Sequence, residues 1–423
     1  MKPMEMRTIP PGYITSRFGI LEYTNWIDES MAWKQTCTLG DWSWIWERRF
    51  KGRDALKLLS DTTVNGFENF AILQSKHAIH CNENSKVIAE GIHTRLGEDE
   101  FVLMGRGSFW VDYVRGQGQY DVDSEAIDWY NLQVAGPKAI PLLEAVSGTD
   151  LRGIKFMHSG EIEIAGNKLL ALRQGMSGEP GFELQGPRDH ANAVIEELLR
   201  VGKEFGLRQL GGRASNTGHL ESCFPTIFQD YLPAMFDDKM EKYRTSSLGS
   251  VQGFASSFSF DGSYVGETVE DYYRSPIELG WNKNVKFDHD FIGRSALEQE
   301  VAAPRRLMRT LVWNAEDVID VYASMYRKDE PFQFMEMPRH QRATLAADRV
   351  VSNGRDIGVA TSRGYSYFFR EMLSLAVIEP EFAEIGTDVT VIWGNPGQPE
   401  KAIRAQVAAA PYRDNRRADL RNY

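Results

Sequence analysis

Apolar positions recur along this chain with two different periods, and together they predict its helices and strands. Residues 28–36 carry a helical spacing, and 52–60 put Ala55, Leu56, Leu58 and Leu59 on one stripe of a short helix. The clearest helix is 187–205, with Ala191, Val194, Ile195, Leu198 and Leu199 on one face. Period-two alternation predicts strands over 42–49, with Trp42, Trp44 and Trp46 on one face, and over 130–135. Apolar runs add strands at 87–94 and 101–105, and 137–146 reads as a helix opening on Pro137, where a missing amide donor costs least. Residues 161–164 and 169–173 flank Ala165-Gly166-Asn167 as a hairpin. Strands and helices mix without a regular βα repeat, which predicts an α+β fold.

The pattern fails over 225–265, which is rich in Met, Phe, Ser and Gly and has no sustained period. A loop of that length inside a compact domain usually carries function, and its aromatic content predicts that it packs over something. From Leu307 onward, strands are expected at 309–313, 356–362, 373–378 and 388–393, with Gly386 and Gly394-Asn395-Pro396-Gly397 as turns. That unit reads as a small β-barrel or jelly-roll domain.

Composition narrows the function classes. A chain of 423 residues, 42% hydrophobic and 25% charged, is long enough for two or three domains. A formal charge of −11 argues against nucleic acid as a partner but permits a small anion held by one or two arginines. No apolar stretch approaches the length of a membrane span, and residues 1–17 lack the apolar core of a signal peptide, so a cytoplasmic location is expected. Cys37, Cys81 and Cys223 are widely spaced with no C-x-x-C, which indicates neither a disulfide framework nor a zinc ribbon. His77-x-x-His80 could face a metal on a helix, but Cys81-Asn82-Glu83 fits a turn and strand better, and no metal is expected.

Scattered fragments carry more. Cys81-Asn82-Glu83, the run from Gly175 to Glu183, Leu220-Glu221-Ser222, Ser275-Pro276-Ile277-Glu278-Leu279-Gly280-Trp281 and Phe291-Ile292-Gly293-Arg294 stand in an order and spacing that resembles the folate-binding aminomethyltransferase family, best known for the T-protein of glycine cleavage. Residues 52–62, 203–207, 270–273, 285–294 and 364–367 are more similar to one branch, the tetrahydrofolate-dependent demethylases of methoxylated aromatic acids such as vanillate and syringate. The resemblance implies a three-domain T-protein-like fold: residues 1–50 with 150–225, residues 51–149 with 226–300 including a substrate loop, and a barrel over 301–423. It also implies methyl transfer from an aryl methyl ether to N5 of tetrahydrofolate, with tetrahydrofolate and a small aromatic carboxylic acid as partners.

The implied cofactor residues are Glu221, whose carboxylate matches the amidine-like donors of a pterin, with Arg213, Glu183, Glu90 and Trp281. The Gly-Gly and Asn-Thr-Gly around Arg213 suit a turn at a site edge; the alternative is two solvated charges. Gly175-x-x-Gly178-x-x-Gly181 lacks the βαβ context of a dinucleotide fingerprint but would let backbone approach folate closely. Glu90, where the aminomethyltransferases carry an Asp-Asp pair, reads either as a folate contact or as a strand-end surface charge. Arg106, between two glycines after an apolar strand, reads as a carboxylate clamp or as a strand-end charge reaching solvent. Trp42, Trp44 and Phe254 complete the substrate set, the tryptophans being equally readable as core. The branch uses a tyrosine acid in the loop after the pterin glutamate, whereas 250–254 has none. His219, Gln252 and Tyr264 remain as proton-donor candidates. Loss of the Asp-Asp pair counts against an aminomethyltransferase, and a missing Lys-Gly-Cys-Tyr-x-Gly-Gln signature counts against a non-catalytic assembly or regulatory protein.

Overall fold

Two large sheets, a closed barrel and a two-stranded pair of Ser259–Asp261 with Thr344–Ala346 organise the chain in a computed structural model, which describes residues 2–9, 19–176, 178–236, 238–246, 258–416 and 418. The first sheet has six strands in the order Leu207–Gln209, Cys37–Asp41, Trp129–Ala135, Gly181–Pro187, Asn167–Arg173 and Ser159–Ile164. Leu132, Val134, Phe182 and Leu184 lie on one of its faces and pack with residues of the helices Ala139–Ser147 and Ala191–Phe205. The expected hairpin is present, its turn made by Ala165 and Gly166, both at positive φ. Pro137 precedes the helix Ala139–Ser147 and its N-cap Lys138 rather than opening it.

The second sheet runs in the order Ser75–Cys81, Val87–Arg95, Glu100–Gly105, Glu47–Lys51 and Asp123–Ile127. The continuous strand expected over 42–49 does not form. Cys37–Asp41 belongs to the first sheet and Glu47–Lys51 to the second, and between them the chain turns, with the Asp41 carboxylate accepting from Ser43 N–H (2.9 Å) and Trp42 C=O from Ile45 N–H (2.9 Å). The three tryptophans therefore do not share a face: Trp42 is buried while Trp46 is 38% exposed. The chain crosses back at Asp128, so Trp129–Ala135 pairs in the first sheet although it falls within the range 51–149. Arg188 ties the two crossings together, donating to Asp128 Oδ1 (3.0 Å) and Ser43 C=O (2.5 Å).

The C-terminal unit is a closed six-stranded barrel rather than a jelly roll, in the order Leu307–Trp313, Glu371–Ile378, Arg355–Ser366, Asp348–Ser352, Asp388–Trp393 and Lys401–Ala408. The loop after Pro225 sinks inward. Phe228, Tyr231, Leu232, Met235 and Phe236 are all buried in a core shared with Ile79, Val87 and Ile88 of the second sheet and Val359, Leu373 and Leu375 of the barrel. Asp230 pins it, accepting from Thr226 N–H (2.8 Å) on its own loop and from Thr361 Oγ1 (2.7 Å) on the barrel. Residues 250–254, including Gln252 and Phe254, lie outside the described residues.

Candidate active site

Two glycines bring Arg106 and Glu90 together. Strands Val87–Arg95 and Glu100–Gly105 cross so closely that a Cβ at Gly91 would lie 2.1 Å from the Met104 carbonyl oxygen. Gly105, at φ +97°, then turns the chain into the helix Gly107–Arg115 with Arg106 at its N-cap. A left-handed φ of that kind is easy for glycine and strained for other residues. Arg106 is half-buried, its Nη1 shielded from solvent and its guanidinium 5.2 Å from the Phe228 ring centroid and 5.7 Å from that of Trp46. Burial pushes its pKa down to about 10, opposed by Tyr243, Tyr231 and Glu90, so it is still a cation at neutral pH.

Glu90 is held by His77, whose Nε2 lies 3.0 Å from Glu90 Oε2 while Asn284 Nδ2 donates to His77 Nδ1 (3.1 Å). The Trp281 ring stands edge-on to His77 at 4.9 Å and to Tyr231 at 6.1 Å. His77 and His80 lie on a strand, where a spacing of three sends side chains to opposite faces. His80 points instead to His93 (Nε2 to Nε2, 3.4 Å) beneath Gly107. No three metal-ligating side chains cluster among the described residues.

The second notable feature is a buried face that reads as polar. Asn131, Gln133, Glu183 and Gln185 alternate with the core residues of the first sheet, yet all four are buried. Glu183 accepts from Gln174 Nε2 (2.8 Å), Gln133 Nε2 (3.3 Å) and Asn131 Nδ2 (3.5 Å), and Asn131 also donates to Met104 Sδ (2.8 Å). Glu47 is buried nearby, 4% exposed. Desolvation raises Glu183 from the ordinary 4.5 to about 7, against the hydrogen bonds from Asn131 and Gln133. Desolvation, reinforced by Glu183, raises Glu47 from 4.5 to about 8.

Both groups therefore bind protons more tightly folded than unfolded. Their contribution to stability is fully present below about pH 4.5 and is lost as pH rises through about 7 and 8. Glu47→Gln and Glu183→Gln should each flatten the fall in Tm between pH 5 and 9, roughly the interval in which these groups ionise. Thermal melts across that range check this, and mutants that keep the wild-type slope would show that the two groups ionise freely.

A cavity of about 700 Å³ opens beside these groups, lined among others by His77, Gln174, Met176, Phe224, Trp281 and Asn284. Its wall includes the cations Lys76, Lys283, Lys286 and Arg309 and, among the described residues, no carboxylate. In a chain of net charge −11 that asymmetry marks an anion site.

The remaining candidates fall on either side of this cavity. Arg213 and Glu221 lie on one helix, Gly212–Glu221, and not on a turn. The small residues that suggested a turn let the helix pack closely: a Cβ at Gly218 would meet the Trp33 ring at 2.5 Å. Glu221 ends that helix 1% exposed, ion-paired to Lys34 and accepting from Ser366 Oγ (2.5 Å), while Ser222, Cys223 and Phe224 after it line the cavity. Arg213 turns elsewhere, toward Glu22 (3.4 Å) and Glu336 (3.9 Å). His219 stacks on Trp42 at 6.1 Å and leans on Phe224 at 5.2 Å. Burial, helped by Arg339, lowers its pKa to about 4, so at neutral pH it is the uncharged imidazole with a single N–H. Trp44 packs with Trp42 against Ala214 and Leu210. Tyr264 stands with Arg7 and Tyr272, its carbonyl accepting from Arg7 Nη2 (2.8 Å).

Residues 16–236 match the GCVT N-terminal domain, and 333–414 match the glycine cleavage T-protein C-terminal barrel domain. A syringate O-demethylase of Sphingobium sp. (strain NBRC 103272 / SYK-6) is 33% identical over 92% of this chain and 89% of its own length. A sesamin methylene transferase of Sinomonas sp. (strain No.22) is 32% identical over 95% and 92%. The crystal structure of the glycine cleavage aminomethyltransferase T from Bartonella henselae superposes with a TM-score of 0.70 at 19% identity, covering 97% of this chain and 96% of that one, and establishes the likeness of fold.

Proposed function

The chain belongs to the glycine cleavage T-protein (GCVT) family, and within it we propose that this protein moves a methyl group from a methoxylated aromatic carboxylic acid to N5 of tetrahydrofolate, releasing a phenol. Tetrahydrofolate is the cosubstrate of this family, and the cavity suits it. Its volume of about 700 Å³ falls in the range of roughly 300–1,000 Å³ typical of pockets for such ligands. Lys76, Lys283 and Lys286 would face the carboxylates of the folate tail. Gln174, whose Oε1 is buried without a hydrogen-bond partner among the described residues, offers an acceptor to the donor-rich pterin. Bound there, tetrahydrofolate supplies the nucleophilic nitrogen that receives the methyl group.

The observation that carries the aromatic-acid reading is Arg106. A half-buried guanidinium set against two aromatic rings, next to Glu90 and the cavity, matches a planar ring bearing a carboxylate. The protein's own part is then chiefly positional. Arg106 fixes the acid, Trp46 and Phe228 exclude water from it, and the His77–Glu90 pair stands where the cavity meets that interior. Holding the two reactants in line contributes up to about 7–11 kcal/mol to such reactions.

The test is incubation of purified protein with tetrahydrofolate and a panel of methoxybenzoates, following the phenol and 5-methyltetrahydrofolate together. Including sesamin and an aminomethylated lipoyl carrier separates the rival transfers. Turnover of an uncharged methylenedioxy or lipoyl donor, with none of any methoxybenzoate, would refute the proposal.

A further inference from the structure

We propose that a second, smaller cavity, lined by Arg274, Arg305 and Arg306, is an anion site that takes the phosphate group of a small ligand. The site is separate from the reacting groups and does not depend on the reaction assigned to them.

This cavity of about 200 Å³ is enclosed by distinct stretches of chain. They are the hairpin turn that holds Asn82 and Lys86, the capped turn at Thr268 with the chain that follows it, and Arg305 and Arg306 just before the first barrel strand. Residues 275–281 serve both cavities: Glu278 lies on the wall of this one, and Ile277, Leu279 and Trp281 lie on the wall of the larger one.

Among the described residues, none of the three arginines forms an ion pair. Arg274 is 1% exposed, and its Nη1 donates to the carbonyls of Asp271 (2.8 Å) and Tyr273 (2.7 Å). Its Nε is buried with no hydrogen-bond partner among the described residues. Buried donors are nearly always paired, because leaving one unpaired in a dry interior is costly, so an orphan on a cavity wall points to an acceptor that arrives with a ligand. Desolvation lowers the pKa of Arg274; Glu278 opposes that, and Arg306 and Arg305 add to it, so the three guanidiniums stand close enough to repel one another. An anion among them relieves both problems at once.

The wall also holds three carboxylates, and they do not cancel this charge. Glu278 is held by Lys86 (3.1 Å) and by Ser275 N–H (3.0 Å), and Asp271 accepts from Thr268 N–H (2.9 Å). Glu270 is exposed. Setting Lys86 against Glu278 leaves three guanidiniums to two carboxylates on the wall, and neither carboxylate pairs with a guanidinium among the described residues. Three guanidiniums from two stretches of chain suit a tetrahedral oxyanion with several acceptor oxygens, whereas a planar carboxylate is satisfied by one fork. The volume lies below the roughly 300–1,000 Å³ typical of pockets for larger organic ligands, which suits a phosphate group and is small for a second folate. A phosphate bound there joins the hairpin turn of the second sheet to the entry of the barrel, so it stabilises the folded chain in proportion to its occupancy.

The test is calorimetric titration of the intact protein with inorganic phosphate, glycerol phosphate and acetate at fixed ionic strength. Saturating tetrahydrofolate is present throughout, so that the larger cation-lined cavity is filled. A single phosphate should bind per chain, acetate should bind about tenfold more weakly or worse, and Tm should rise with phosphate concentration. Arg306→Ala should weaken phosphate binding by about tenfold or more, the usual worth of a hydrogen bond between charged groups, and cancel most of the rise in Tm. It should leave tetrahydrofolate affinity unchanged. Glycerol phosphate binding as well as inorganic phosphate, or better, identifies a phosphomonoester as the ligand; weaker binding identifies the free ion. The proposal is overturned if no phosphate binds, if acetate binds as tightly, or if Arg306→Ala binds phosphate like the wild type. Should that variant fail to fold, Arg305→Ala, at an exposed position, carries the same reading.

Discussion

Glu221→Ala should lower the stability of the folded protein by about 3–5 kcal/mol, the usual consequence of removing one member of a buried ion pair. The sequence suggests a different outcome, a folded mutant blind to folate, because a glutamate in a Leu-Glu-Ser context resembles a pterin acceptor. In the structure the carboxylate is 1% exposed, and its partners are Lys34, on the helix Trp26–Gln35, and Ser366, on a barrel strand. Removing it strands the Lys34 ammonium in a site where burial already drives its pKa down and Glu221 is the main influence raising it. The pair also joins two parts of the molecule, since Arg413 N–H donates to the Glu221 carbonyl (2.9 Å) while Arg413 itself pairs with Glu179 on the glycine-rich loop. Urea unfolding gives the measurement. The double change Lys34→Met with Glu221→Gln should recover much of the loss, because two neutral groups of similar volume carry no stranded charge. A single mutant with an unmoved midpoint would show that the ion pair contributes nothing to stability. Folate binding is then to be measured on the double mutant, where loss of affinity can no longer be confused with loss of fold.

The contrast shows where sequence reading reached its limit. Period and turn chemistry placed many strands and helices within a few residues, and four of the six barrel strands were visible in their apolar runs, whereas Asp348–Ser352 and Lys401–Ala408 were not. Arg106 was singled out by its place between two glycines after an apolar strand and Glu90 and Trp281 by the family resemblance, and the structure brings them near His77 and Tyr231. Three things were hidden. Alternation in Trp129–Ala135 and Gly181–Pro187 marks Asn131, Gln133 and Glu183 as a polar face, which a sequence reader assigns to solvent; only the second sheet packed against it makes that face interior. Period two continued across 42–46, and nothing local says that the flanking strands enter different sheets. Tyr231 sits in an aperiodic loop, and its relation to Arg106 exists only once that loop folds under the barrel. The signal that could have found it is the density of aromatics after Glu221, which predicted a packed loop but no particular residue.

Arg106→Ala should raise KM for the aromatic acid by about 100-fold or more, in line with the 2–5 kcal/mol typical of truncating one partner of a buried, hydrogen-bonded charge pair. Tetrahydrofolate affinity should change by no more than about twofold, because the guanidinium serves only the acid. Lysine at 106 should restore part of the loss: it returns the charge, but a single ammonium cannot reproduce the planar fork or lie flat against Trp46 and Phe228. The methyl ester of the same acid gives the decisive comparison. If Arg106 acts through the carboxylate, esterification should weaken the wild-type protein strongly and the alanine variant hardly at all, so the two changes together cost much less than their sum. Additive effects would mean that Arg106 touches some other part of the substrate or only supports the fold. A thermal melt separates that last case: the side chain caps no hydrogen bond at the start of the helix Gly107–Arg115, so the helix should survive its loss. A clamp therefore predicts a folded variant that binds folate normally, binds the acid poorly, and has become indifferent to whether the carboxylate is there.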